Sequence, residues 1–247
     1  MLYILQCMLD IVLRYEPIVN DIKKNKYKKI LEVGSDDYGV APFLNLTSKI
    51  TLFDFSFRRK SLKTVFYKTG SVLKLPFEDK SFESVISLDM LEHIPPKLRN
   101  KALSELMRVT KKTLYLGFPC DSAARKRDKI FFNLVSPFKN SPHIKYIKEH
   151  LQNGLPSSKA VVKKIKVYKP ESIQEVNNLN AKIEIFLVVL SNLDFLPLLA
   201  LQKLLDRIHI DILPFAFRFF MFSFGWLSKP LSFDKCYRKI FIISKRI

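Results

Sequence analysis

Glu32, Gly34, Ser35, Asp36, Gly39 and Asp54 are the residues whose types and spacing point most directly to chemistry. The first five lie in Ile30-Leu31-Glu32-Val33-Gly34-Ser35-Asp36-Asp37-Tyr38-Gly39, and Asp54 closes the next apolar run. A buried strand that ends in a glycine turn lets a ligand reach main-chain N–H groups without a Cβ in the way. A carboxylate about 20 residues further on accepts hydrogen bonds from a ribose. The spacing predicts a nucleotide-cofactor site made of strand, glycine turn, helix over residues 40–44, strand and acid. The pattern departs from G-x-G-x-x-G: Gly34 and Gly39 keep the outer positions, while Asp36 takes the middle one.

Those residues need a frame. Short β-branched or aromatic runs occur at residues 29–34, 50–55, 64–68, 84–89 and 113–119. Helical spacing separates several of them, most clearly where Leu98, Ala102, Leu106 and Val109 fall on one face of residues 97–109. Near-continuous apolar strands joined by helices predict a parallel α/β sheet covered on both faces. Ligands of such sheets bind beyond the carboxyl ends of the strands, where strand order switches. Gly34, Asp54, Gly70, Asp89 and Pro119 all stand at predicted strand ends.

The 247 residues suit one elaborated α/β domain better than two domains. A net charge of +19 exceeds what solubility needs and suggests an anionic partner: nucleic acid, a membrane surface or a phosphorylated substrate. Cys7, Cys120 and Cys236 are far apart, which argues against a disulfide framework or structural zinc and fits a reducing cytosol. Residues 1–20 are apolar but carry Asp10, Arg14 and Glu16, so they read as an amphipathic helix and not a signal peptide. The apolar stretches 183–201 and 208–227 are broken by charges and prolines, short of the roughly 18 uninterrupted apolar residues of a span.

The second half has another character. Residues 121–247 hold 22 Lys and Arg against 10 Asp and Glu, together with dense Phe and Leu. The expected layout is an amphipathic helix and linker over 1–28, a cofactor-binding core over 29–120, a basic apolar helical cap over 121–235 and a final strand over 236–247. Within the cap we expect a basic connector at 125–129, a helix after Ser157 and Ser158, and a late strand near 166–169. Two apolar helical segments, 180–208 and 212–227, follow.

Four successive motifs sharpen the functional reading. Leu31-Glu32-Val33-Gly34, Leu52-Phe53-Asp54-Phe55, the run Leu75-Pro76-Phe77-Glu78-Asp79-Lys80-Ser81-Phe82 and Leu91-Glu92-His93-Ile94-Pro95 resemble those of class I S-adenosylmethionine-dependent methyltransferases. The resemblance is closest to the small-molecule, LEHI-type branch and covers roughly residues 28–120. Residues 237–243 resemble the antiparallel seventh strand of that fold, and residues 149–156 (EHLQNGLP) resemble a segment of some bacterial members. It implies a Rossmann-like, seven-stranded, mostly parallel sheet with helices on both faces and an inserted helical cap near the C-terminus, between the last two strands.

It also implies roles. Gly34 would admit the methionine part of S-adenosylmethionine, Ser35 and Asp36 would line the turn, and Gly39 would allow close helix–strand packing. Glu32 would bind the cofactor ammonium directly or through water, and Asp54 the ribose hydroxyls. Phe55 would lie against the adenine, Gly70-Ser71-Val72 would form the adenine-edge turn, and Asp89 and Met90 would line the crevice near the sulfonium. Two departures weaken the pattern. Asp36 sets a carboxylate near that of the methionine moiety, and Ser71 replaces the aspartate that accepts from the adenine amine.

Methyl transfer from a sulfonium needs alignment first, and a base only if the acceptor must lose a proton. His93 is the candidate for that base; the alternative is that Glu92-His93 orients the following helix. His150 could reach over the site or be a solvated helix residue, while His143 and His209 lack supporting context. Cys120 and Asp121 follow the fifth strand, either facing substrate or buried as structure. Residues 23–29 read as a solvated helix end, and 125–129 as a candidate contact for phosphate or lipid headgroups. The Phe-rich stretch 215–226 is either the core of the cap or a face toward membrane or apolar substrate. We therefore expect a small-molecule, lipid-linked or saccharide-linked acceptor, with the protein cytoplasmic or peripheral at an anionic inner membrane face. No metal is expected. A non-catalytic binding protein is the alternative; a nucleic-acid methyltransferase is disfavoured, because no stacking aromatics interleave a basic stripe.

Overall fold

Apolar side chains at Ile30, Leu31 and Val33 are buried on both faces of the first strand, which places it in the middle of a sheet. In the computed structural model the strands are β1 (Lys29–Val33), β2 (Lys49–Asp54), β3 (Val65–Thr69), β4 (Phe82–Leu88), β5 (Thr110–Pro119), β6 (Ser172–Asn180) and β7 (Cys236–Ser244). The structure describes residues 2–44, 48–58, 60, 62, 64–135, 142–183, 185, 219, 221–233 and 235–246. The strands form one sheet in the order β3-β2-β1-β4-β5-β7-β6. All neighbours are parallel except β7, which runs antiparallel to both β5 and β6. Strand order reverses between β1 and β4, so the carboxyl ends of those two strands flank the crevice.

Helices cover both faces. One face packs against α1 (Leu2–Asn25), whose Val12, Ile18, Val19 and Ile22 meet Ile30, Leu52, Ile86 and Tyr115. The other packs against α2 (Pro96–Val109), whose Ala102, Leu103, Leu106 and Met107 meet Leu31, Val85 and Leu114. Pro96 opens α2 at a position where its missing N–H costs nothing. Three further helices lie between β5 and β6: α3 (Asp121–Val135), α4 (Pro142–Asn153) and α5 (Ser158–Lys166). The Ser157 hydroxyl caps α5 by accepting from the Ala160 N–H.

Three local expectations change. Residues 166–169 are not a strand: α5 ends there, Lys169 is left-handed at φ 49°, and Pro170 follows, so the chain turns before β6 begins at Ser172. Residues 125–129 form part of α3 and not a connector, with the Arg127 guanidinium buried over the Phe131 and Tyr237 rings. The helix expected at 40–44 is a single 3-10 turn, Ala41–Phe43. The helices α3, α4 and α5 precede β6, and described helical residues 181–183 and 221–224 lie between β6 and β7. The apolar segments 180–208 and 212–227 fall mostly outside the described residues. Their described parts are a helical start at 181–183, the turn at 221–224 and a 3-10 turn, Gly225–Ser228.

α1 is pinned to the sheet by more than apolar packing. The Tyr115 hydroxyl, from the fully buried centre of β5, donates to the Asp21 carboxylate of α1 at 2.5 Å. Tyr115→Phe keeps the ring and removes this bond to a charged acceptor. It should lower the unfolding free energy by about 1.5–3 kcal/mol, read as a lower urea midpoint at unchanged slope.

Candidate functional site

The turn after β1 is tight enough to dictate its residues. Gly34 is left-handed at φ 77°, and a Cβ there would meet Met90 Cγ at 2.7 Å and Cβ at 2.8 Å. Gly39 is left-handed at φ 49° and lies directly over the Glu32 carboxylate. The middle position of the motif also needs a left-handed backbone: Asp36 has φ 50°. Aspartate is among the few residues that tolerate that region, which is why the glycine can be replaced there without losing the turn. The Asp36 carboxylate is exposed and pairs with the Arg58 guanidinium at 3.1 Å, so its charge does not face the crevice unopposed. Ser35 is buried, and its hydroxyl donates to the Asp36 carbonyl at 3.0 Å.

Asp54 ends β2 beside this turn. Its Oδ2 accepts the Asp36 N–H at 2.9 Å and its Oδ1 the Phe55 N–H at 2.6 Å. A carboxylate offers about four acceptor sites, so lone pairs remain for two hydroxyls. Phe55 is 84% exposed, an aromatic face with no protein partner over most of its surface. Gly70 ends the neighbouring strand, where a Cβ would meet Phe53 Cζ at 2.8 Å. The Ser71 hydroxyl accepts the Leu73 N–H at 3.2 Å, and Val72 packs on the core. Gly34, Asp54, Phe55, Gly70 and Met90 thus all stand at or just beyond the carboxyl ends of β1 to β4.

Glu32 stands apart from that set. It is wholly buried, with Oε1 accepting from the Tyr15 hydroxyl at 2.6 Å and Oε2 from the Val40 N–H at 2.5 Å. Its carboxylate therefore fastens α1 and the glycine turn to β1, and direct contact with a cofactor ammonium does not fit this placement. Asp89, left-handed at φ 48°, also has its oxygens engaged: Oδ1 accepts from Arg238 Nε at 2.5 Å and Oδ2 pairs with Arg14 Nη1 at 3.1 Å. Burial works to raise its pKa, but the two guanidiniums overcome it and hold the carboxyl below its usual range. Arg14 pairs in turn with Asp10 of α1. Reading the sequence missed Tyr15, Arg14 and Arg238, because partners 75 and 149 residues away from Asp89 leave no local signature.

Past β4, a 3-10 turn, Leu91–His93, carries Glu92 and His93. His93 is half-buried, its Nδ1 is 2.9 Å from Glu149 Oε2, and its ring centroid is 5.0 Å from that of His150. Burial lowers its pKa, which the Glu149 bond partly opposes. His150 is buried, not solvated as one reading expected. The EHLQNGLP segment closes over this turn: Asn153 Nδ2 donates to the His93 carbonyl at 3.3 Å, and Arg99 links the Ile94 and Gly154 carbonyls. Cys120 is buried, and Asp121 accepts from the N–H and hydroxyl of Ser158 at 3.1 and 2.6 Å, so this pair docks α5. His143 has no described side chain, and His209 lies outside the described residues.

Residues 32–116 match the family model described as a methyltransferase domain. Over these residues the chain is similar to methyltransferase domains, and its sheet has the fold of class I methyltransferases. A sarcosine dimethylglycine methyltransferase assignment from Galdieria sulphuraria superposes with a TM-score of 0.56 at 16% identity, over 94% of this chain and 86% of that one. Phosphoethanolamine N-methyltransferase 2 of Haemonchus contortus, solved with S-adenosyl-L-methionine, gives 0.54 at 16% identity. That match covers 94% of this chain but 53% of the worm enzyme. A SAM-dependent methyltransferase from Thermotoga maritima gives 0.51 at 15% identity, over 94% and 98% of the two chains. At such identities these likenesses establish the fold. No curated protein sequence matches the chain.

The buried Glu32 makes the methyltransferase core sensitive to pH. Burial is the main cause that pushes its pKa from 4.5 up to about 7. The folded chain thus favours the protonated form, and this contribution to stability is complete below about pH 4.5 and lost as pH rises through about 7. At about 1.4 kcal/mol per pH unit the loss amounts to about 3 kcal/mol. Glu32→Gln keeps the shape and both hydrogen-bonding positions. Urea unfolding of the variant from pH 5 to 8 should show that part of the slope gone; an unchanged slope would assign it to another group.

Proposed function

We propose that this chain is an S-adenosylmethionine-dependent methyltransferase for a small-molecule acceptor. The observation that carries the reading is the cradle at the β1/β4 switch. Gly34 leaves no room for a Cβ, Asp54 keeps free lone pairs at the end of β2, and Phe55 lies uncovered beside it. Gly34 would let the methionine moiety approach the turn, with Ser35 and Asp36 shaping it. Asp54 would hold the ribose, Phe55 the adenine face, and Gly70, Ser71 and Val72 the adenine edge. Met90, braced against the Gly34 turn, would border the methyl-transfer path. Glu32, Gly39 and Asp89 serve by fixing that geometry, through Tyr15, Val40, Arg14 and Arg238.

When bound, the cofactor supplies an electrophilic methyl group; the acceptor's lone pair takes it in line, and S-adenosylhomocysteine leaves. The protein contributes alignment and exclusion of water. His93, kept neutral mainly by burial and steadied by Glu149, is suited to take the acceptor's proton. Arg58 beside Asp36 answers the charge problem posed by the missing glycine, because a guanidinium shared with the methionine carboxylate offsets the extra acid. This favours a working site over a degenerate one. The neighbours named for sarcosine and phosphoethanolamine support an acceptor of small size.

A lipid- or glycan-linked acceptor at an anionic surface is the finer reading. It rests on the net charge of +19 and on Phe222 and Trp226, which are 90% and 67% exposed. Among the described residues no helix is long and apolar enough to cross a membrane, so contact would be peripheral. Equal flotation of the protein with neutral and anionic vesicles would count against this surface role.

Isothermal titration tests the main reading. S-adenosylmethionine and S-adenosylhomocysteine should each bind saturably, and Asp54→Ala should weaken both at least about tenfold, as expected for bonds to a charged acceptor. Folded protein that binds neither would overturn it and leave a scaffold that has kept the fold.

A further inference from the structure

Glu92, His93 and His150 place one candidate donor atom each within 4.8 Å of the others, although the histidines lie 57 positions apart. Two of these groups are buried with an unpartnered atom: Glu92 Oε2 in a residue 1% exposed, and His150 Nε2 in a residue 6% exposed. Leaving such groups unsatisfied is costly, and native proteins rarely do so without a reason. Both atoms carry lone pairs, and no hydrogen bond joins them. A cation between them would satisfy both.

The surroundings are arranged for the same purpose. His93 has its Nδ1 on Glu149 Oε2 at 2.9 Å, and His150 has its Nδ1 on Asp128 Oδ2 at 3.0 Å. Asp128 is itself held by Arg127 Nη1 at 3.0 Å. A carboxylate on Nδ1 fixes the neutral tautomer and turns the Nε2 lone pair outward, the orientation that metal-binding histidines receive from their supporting residues. Here both imidazoles have that support, which neither capping a helix nor packing a core requires.

We propose that Glu92, His93 and His150 bind a divalent first-row transition ion, of which zinc is the type, at the acceptor side of the crevice. Two imidazoles and one carboxylate suit such an ion better than calcium or magnesium, which take oxygen ligands. Tetrahedral bonds of about 2.0–2.2 Å set ligand atoms roughly 3.4 Å apart, so the three side chains would draw inward by no more than about 1 Å on loading. Three protein ligands leave a fourth position open. There an oxygen or nitrogen of the acceptor would coordinate. The ion then takes the His93 nitrogen that would otherwise receive a proton, and lowers the acceptor's pKa itself.

The test uses the full chain, stripped with chelator and titrated with Co2+, followed by its visible d–d bands, and with Zn2+ by competition. One equivalent should bind. Glu92→Gln and His150→Gln should each weaken binding at least a hundredfold, and Asp128→Asn, which leaves all three ligands intact, about 10–100-fold. His93→Gln, at a half-exposed position, covers the case in which a buried variant fails to fold. Folded wild-type protein that binds neither ion, or His93→Gln and His150→Gln proteins that bind as wild type does, would overturn the site. Cofactor titration of the same samples keeps the two proposals separate: cofactor binding without metal binding removes this one alone, and the reverse removes only the methyltransferase reading.

Discussion

Asp89 is held between two guanidiniums that come from opposite ends of the chain. Arg14 reaches it from α1 and Arg238 from β7, with Asp10 beside both cations. Two acids and two bases leave the cluster near neutral, a condition for burying charge at this depth. The network extends further: Arg238 also donates to Asn178 of β6 at 3.0 Å, and Asn178 donates to the Leu13 carbonyl of α1 at 2.9 Å. A left-handed residue at the end of β4 thus becomes the point where helix, last strand and edge strand are registered to one another. The crevice walls, Met90 and the Gly34 turn, stand immediately beside it.

This arrangement explains why α1 belongs to the site although it contributes no group to the crevice itself. The link between β1 and β2 has only a 3-10 turn among its described residues, so it covers little of the sheet on that side. α1 supplies the missing layer through Val12, Ile18, Val19 and Ile22. It also sends Tyr15 to Glu32 and Arg14 to Asp89, so the same helix that covers the core sets both acids at the strand ends. Packing and positioning are one function here.

The parallel core was legible because its signals are local. Apolar runs, glycine at strand ends and the acid closing β2 each lie within a few residues of what they specify. Gly34 and Gly70 are glycines for reasons visible only in space, Met90 and Phe53 filling the room a Cβ would need. Their positions at strand ends nevertheless marked them. The late strand was misplaced by a few residues because Val167 and Tyr168 look like strand residues, whereas the left-handed Lys169 and Pro170 make them the close of a helix. The role of Glu32 was misread because its partner, Tyr15, lies 17 residues earlier in a helix that reads only as amphipathic. His93 was picked from its place after β4, but Glu149 and His150 meet it, and Asp128 supports His150, only through the packing of α3 and α4 on the following turn.

The strand order has a consequence for how the molecule is made. β6 is an edge strand, and among the described residues its one neighbour in the sheet is β7, which enters between it and β5. β6 therefore waits on β7, since until that strand is made β6 has no described ladder and Asp89 lacks one of its two cations. Among β1 to β5 every pairing except β1 with β4 joins consecutive strands, whereas the closing of β7 on β5 joins residues far apart in sequence and is correspondingly slow. Without β7 the cofactor-side residues and α5, which packs on the core through Val161 and Ile165, would keep their neighbours while β6 had none, so the nine-residue β7 acts as the latch between β5 and β6.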